Sequence, residues 1–188
     1  MKILKTIITL VLVVTISTVA VWGVNSITEP IITERAAKEA AKAYAVLVND
    51  DNVAGKDVTA DYKNLDSAGI ISVMELTLSD GTVAYGMQAS ATGYHDGILY
   101  AIAVNMETKT IYGIKVISHG ETNGKGSLVL ASEKYLNYFK GLSLEATLNS
   151  TAADTDVTTG SSVTSRGMDT SVGNVAKYAL NNFTGGEA

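Results

Sequence analysis

Between Lys5 and Asn25 the chain reads TIITLVLVVTISTVAVWGV, from Thr6 to Val24, without a charged residue. As a helix rising 1.5 Å per residue, this run is about 28 Å long, close to the roughly 30 Å hydrocarbon core of a bilayer. A segment of that kind constrains everything after it, because it divides the chain at a membrane. Lys2 and Lys5 precede it and favour the cytoplasmic side, so the remainder is expected outside the cytoplasm. Trp22 stands where an interfacial aromatic belongs. A cleaved signal peptide is the rival reading, with a small-residue site at Thr18-Val19-Ala20. The apolar run continues past that site, longer than a secretory core usually is, and an uncleaved single-pass anchor is preferred. Thr9, Thr15, Ser17 and Thr18 supply small polar groups suited to packing against other membrane helices.

The 188 residues leave room, behind the anchor, for one ordinary globular domain. The expected organisation is 1–25 for the cytoplasmic end and anchor, 26–49 for a connector and amphipathic helix, and 50–188 for the domain. The absence of cysteine rules out disulfides, thiol catalysis and zinc–thiolate sites. Two histidines, His95 and His119, leave little for a metal cage, and no metal site is expected. Acidic residues outnumber basic ones, 19 to 14. With no basic stripe carrying interleaved aromatics, nucleic acid is not an expected partner.

Ser26 to Ile32 reads as a connector. Thr33 to Asn49 places Ala36, Ala40, Tyr44 and Leu47 on one helical face. Asp50 to Gly69 reads as turns. Ile70–Leu78 and Thr82–Ser90 flank Ser79-Asp80-Gly81, a hairpin signal. Ile98–Met106 and Thr110–Ser118 form a second hairpin around Glu107-Thr108-Lys109. Ile98, Tyr100, Ile102 and Val104 alternate with smaller residues, the pattern of a half-buried strand. Ser127–Phe139 is expected as one helix, with Tyr135, Tyr138 and Phe139 packing from one side, and Gly141–Thr155 as loop with some irregular structure. Val172, Val175, Ala176, Ala179, Leu180 and Phe183 recur at helical spacing. The order predicts an α+β domain with an antiparallel sheet and flanking helices. Tyr94 and Tyr100 read as core or strand-face residues.

The stretch DVTTGSSVTSRGM, Asp156 to Met168, crowds hydroxyls around Gly160 just ahead of that last helix. Two readings stay open. One is a turn with a cap, Ser165 or Asp169 serving as the capping residue. The other is a phosphate site, in which a helix N-terminus offers unpaired N–H donors and partial positive charge, and a hydroxyl is itself esterified. Arg166 is the cation at hand.

Asp156-Val157-Thr158-Thr159-Gly160-Ser161-Ser162-Val163-Thr164 resembles the flavinylation motif of FMN-binding domains, with Ser161 where alanine is usual and a serine acceptor where threonine is commoner. Gly93-Tyr94-His95-Asp96-Gly97-Ile98 is similar to the family's Gly-Tyr segment. His119-Gly120-Glu121-Thr122-Asn123-Gly124-Lys125-Gly126 is similar to its His-x-Glu-Thr loop, with Asn123 for proline and Lys125 for leucine. The resemblance implies FMN held through a phosphoester on Ser162, installed from FAD by a Mg²⁺-dependent flavin transferase. It implies that Thr159, Gly160, Ser161 and Thr164 shape the phosphate loop, and that Glu121 and Thr122 contact the flavin ring. Asp156 serves either the transferase or the loop. Lys125 is either a charge near the ring, which would raise its potential, or a solvated lysine. Neither histidine is expected to act as a base.

In length the chain resembles the G subunits of Rnf complexes, the ion-translocating ferredoxin:NAD oxidoreductases, more than the longer C subunits of sodium-pumping NADH:quinone reductases. That resemblance implies an electron-relay subunit with no complete active site of its own, with other membrane subunits as partners. A stand-alone extracellular flavin carrier shares the chemistry. From another class, a pilin-like structural protein shares the anchor and the Ser/Thr-rich domain, but lacks the Gly-Phe processing site and the glutamate that follows it. A sensory or carbohydrate-binding module is poorly served by so few aromatics.

Overall fold

In the computed structural model the described residues are 41–95, 97–148 and 161–183, with scattered positions between 7 and 23. The chain divides into two compact units, Met1–Ala37 and Lys38–Ala188. In the first, the described positions are helical. Thr15 and Thr18 donate their hydroxyls to the carbonyls of Val11 and Val14, each at 2.8 Å. Those two hydroxyls are therefore satisfied within the helix and need no neighbouring helix to bond them. Thr9 lies outside the described residues. Among the described residues no helix is long and apolar enough to cross a membrane, and the expected anchor falls only partly within them.

The second unit is built on a five-stranded antiparallel meander: β1 (Ala54–Asp57), β2 (Ile70–Thr77), β3 (Val83–Ala91), β4 (Ile98–Asn105) and β5 (Thr110–Ser118), in that spatial order. Residues 41–48 form helix α1. Behind β5 follow α2 (Gly126–Leu130), α3 (Glu133–Tyr138), α4 (Leu144–Thr147) and α5 (Ser162–Asn182). Both expected hairpins are present. Asp50 holds the first one from outside, accepting from Ser79 N–H at 2.6 Å and from its hydroxyl at 2.7 Å. These bonds hold the Asp50 carboxyl below the usual aspartate range, the Ser79 N–H contributing most.

One sheet face carries Val73, Tyr85, Met87, Ala89, Tyr100, Ile102, Val104 and Ile114, in a single cluster with Val129, Phe139, Met168, Val172, Val175, Ala176 and Phe183 from the helices. The expectation of a half-buried β4 is overturned by what lies on the other face. Met74, Leu76, Ala84, Ala101 and Ala103 are buried too, and they stand at alternate positions, hence on the opposite side. Helix α1 covers them with Ala41, Tyr44, Ala45 and Val48, all buried. The small residues that alternate along the strands are what admit this helix. A Cβ at Gly86 would stand 2.8 Å from the Tyr44 ring, and one at Gly113 would stand 3.3 Å from Leu47.

Three other local expectations are corrected. Asp50–Gly69 contains strand β1, held by pairing Ala54 with Thr77 through Asp57 with Met74, and two short 3-10 turns. Its sequence, AGKD, has no strand periodicity, so the pairing comes from tertiary context. The helix expected over Ser127–Phe139 is two helices, because Ser132 starts a new one by accepting from Tyr135 N–H at 3.3 Å. Within the expected loop Gly141–Thr155, Ser143 caps the short helix α4, while residues 149–155 lie outside the described set. Of the Thr33–Asn49 helix, 33–40 lie outside it as well, as does the 26–32 connector.

Candidate functional site

The site is built around Glu121, in the connection between β5 and α2. The segment Thr92–His95 leaves β3, and α5 begins at Ser162 beside it. Glu121 is 7% exposed. Its Oε1 accepts from the His95 N–H at 3.0 Å, and its Oε2 accepts from the Thr164 hydroxyl at 2.9 Å. A buried carboxylate is tolerated when both oxygens are engaged in this way. One side chain thus ties together three segments that are remote in sequence. Two glycines make room for it: a Cβ at Gly93 would run into Oε1, and one at Gly126 into Oε2.

The hydroxyls at the start of α5 divide sharply. Ser161 is buried and donates to the Lys125 carbonyl at 2.8 Å. Thr164 is buried on Glu121. Ser165 is buried and donates to the Ser162 carbonyl at 3.2 Å. Ser162 alone of these four is exposed, and among the described residues its hydroxyl has no hydrogen-bond partner. It opens α5, where backbone N–H groups lack intrahelical acceptors and the helix dipole favours an anion. Arg166, one turn on, is exposed.

Neither residue expected to cap this helix does so. Ser165 and Asp169 lie inside it, and the capping position belongs to Ser161, whose side chain bonds Lys125 rather than the helix. Asp169 accepts from the Tyr135 phenol at 2.8 Å, and the same phenol lies 3.0 Å from the Ser165 carbonyl. Burial, then the Asp169 charge, push the Tyr135 phenol well above the ordinary tyrosine range, which keeps it a donor. Beside it, Tyr100 bonds the Ser171 hydroxyl at 2.8 Å, and Ser171 donates to the Ser90 carbonyl at 2.9 Å. Sequence reading assigned Tyr135 and Tyr100 to packing and missed these phenol contacts.

The remaining expected residues are placed as follows. Thr122 is exposed, its hydroxyl 3.4 Å from His95 Nε2. Lys125 is exposed and joins the site through its carbonyl. His119 is exposed. Tyr100 is core, as expected, but Tyr94 is 72% exposed, its ring edge-on to His95 at 5.1 Å. Asp156, Thr159 and Gly160 lie outside the described residues.

The arrangement offers an exposed, uncommitted serine hydroxyl at a helix N-terminus, with its neighbours fixed by buried partners. That geometry suits a phosphoester, and the donors around it suit phosphate oxygens. No curated protein matches the chain. The family model of the FMN-binding domain matches residues 93–177, a stretch that opens on the Gly93 segment, contains Glu121 and carries Ser162, and this match supports an FMN-binding domain and a flavin-binding, electron-transfer character for the chain.

Proposed function

We propose that the chain is a membrane-anchored electron-transfer subunit carrying FMN esterified to the Ser162 oxygen, within an Rnf-type ion-translocating ferredoxin:NAD oxidoreductase. The observation that carries the reading is the isolation of Ser162. Its hydroxyl is exposed, while Ser161, Thr164 and Ser165 are each bonded elsewhere. Among the described hydroxyls of this segment, this leaves one available to a modifying enzyme.

Ser162 would hold the phosphate, its oxygens facing the first N–H groups of α5. Arg166 would balance part of its charge. Glu121 would act indirectly, holding the Thr164 hydroxyl and the His95 N–H so that the Ser162 turn stays in place. Thr122 and the Lys125 side chain, both exposed, are the candidates to touch the ring. When bound, the isoalloxazine supplies one- and two-electron transfer, and the protein supplies orientation and tuning. An ester tether keeps an exposed cofactor at an effective concentration on the order of millimolar. The Thr6–Val24 run would anchor the chain with its basic end in the cytoplasm and its domain outside, beside the other membrane subunits. A flavin transferase would be its partner during maturation.

The test is a denaturing gel of the protein from its native membrane, viewed under ultraviolet light. Flavin fluorescence is expected in the wild-type band and not in Ser162→Ala. Fluorescence retained by the variant would overturn the attachment site. Absence from both would overturn the covalent reading.

A further inference from the structure

Along α5, away from Ser162, two hollows of about 360 and 340 Å³ share Ser67, Ala68 and Asn174 and so form one trench. Its helix wall is the stripe Arg166, Asn174, Lys177 and Asn181, and its other wall includes Lys63 and Asn64. At 1.5 Å per residue the stripe is about 22 Å long. The chain as a whole carries a net charge of −5, yet no described residue lining the trench is acidic. Asp66, on the adjoining turn, is exposed and lies outside the lining. None of the three cations forms an ion pair with a described residue. The side-chain amides of Asn64, Asn174 and Asn181 have no hydrogen-bond partner among the described residues, whereas Tyr178, at the trench floor, is occupied by the Lys63 carbonyl at 2.7 Å.

We propose that this trench docks an extended acidic segment of a partner protein. Charge complementarity sets the sign of the occupant. The layout sets its form: cations and amides spread along about 22 Å match a strand of about seven residues at 3.3 Å each, whereas a lone phosphate needs its donors gathered at one point. Amide side chains between the cations are donors and acceptors for a peptide backbone. A nucleotide would want an exposed aromatic to stack on, and among the described residues the lining offers only Tyr178, which is buried. Neither hollow includes Ser162, and the trench meets the flavin reading only at Arg166, while Lys63 and Lys177 belong to the trench alone.

The test uses the full chain in zwitterionic detergent at low salt, with a fluorescein-labelled peptide of alternating Glu and Gly, about seven residues long, followed by anisotropy. Saturable binding is expected. It should weaken about tenfold in the double variant Lys63→Gln/Lys177→Gln, and should weaken again with added salt. Lys109→Gln, which removes a cation outside the trench, should leave it unchanged. Both trench lysines are exposed, so the double variant should melt as wild type does. Absence of saturable binding, or equal weakening by Lys109→Gln, would overturn the proposal. So would displacement of the peptide by inorganic pyrophosphate at lower concentration than by unlabelled peptide, which would point to a phosphorylated small molecule instead.

Discussion

The two halves of α5 are buried to a similar degree by opposite means. From Ser162 to Ser171 the helix buries Thr164, Ser165, Asp169 and Ser171, together with Met168. Thr164 meets Glu121, Asp169 meets Tyr135, and Ser171 meets Tyr100 and Ser90. From Val172 onward it buries Val172, Val175, Ala176, Tyr178 and Ala179, ending on Phe183, whose ring stacks on Tyr85 at 4.3 Å. Apolar burial is non-directional and favours any close packing. Hydrogen bonds between buried groups have one correct geometry and are costly when broken. The C-terminal half therefore holds the helix on the sheet, and the N-terminal half fixes where along the sheet it sits. That second task decides which hydroxyl faces outward.

The contrast can be broken most severely at its apolar end. Phe183→Ala should cost about 3–5 kcal/mol, read by urea denaturation, while the flavin content of the remaining folded protein stays as in wild type. At the polar end, Glu121→Ala leaves the His95 N–H and the Thr164 hydroxyl without their acceptor. It should cost about 1–3 kcal/mol and, under the attachment proposed at Ser162 and unlike Phe183→Ala, should lower flavin attachment per folded molecule severalfold. If the two variants lose flavin only in proportion to folding, the division of labour along α5 is wrong.

Alkaline pH sharpens the same comparison. Burial raises the Tyr100 phenol well above the ordinary range, and burial with the Asp169 charge raises Tyr135. A raised folded-state pKa adds stability that is fully present below the unfolded value, about 10, and is lost as pH rises beyond it. Both phenols bond only the N-terminal half of α5. Amide exchange there should accelerate above about pH 10 before it does around Val175 and Ala179. Tyr135→Phe should remove part of that dependence and cost about 1–3 kcal/mol at neutral pH, because Asp169 loses its phenol donor. The smallest effect is expected at Val163, beside Ser162 but 52% exposed. Val163→Ser should change stability by less than about 0.5 kcal/mol.

The apolar half of α5 was legible in the sequence because its spacing is its mechanism. The polar half was not, since Thr164, Ser165 and Asp169 read as a turn and a cap until their partners, remote in sequence, are known. The same limit hid β1, whose four residues pair only because β2 is there. It also hid the second buried face, where alanines and glycines looked like mere spacing rather than a seat for α1. Both hairpins were legible from their turns and alternation. In the site, the Gly93 segment, the Glu121 loop and the start of α5 were each visible as motifs. Their meeting at one carboxylate was not, because no spacing rule links residues across a meander.

The contacts that set Ser162 apart are long-range ones: Ser161 reaches Lys125 across 36 residues, and Thr164 reaches Glu121 across 43. Neither exists in a chain that has not yet assembled its sheet and seated its last helix. An enzyme that selects the one outward, unbonded hydroxyl among those described at the start of α5 would thus be inspecting the finished domain, and under the proposed attachment chemistry the yellow colour of a preparation would double as a certificate of its folding.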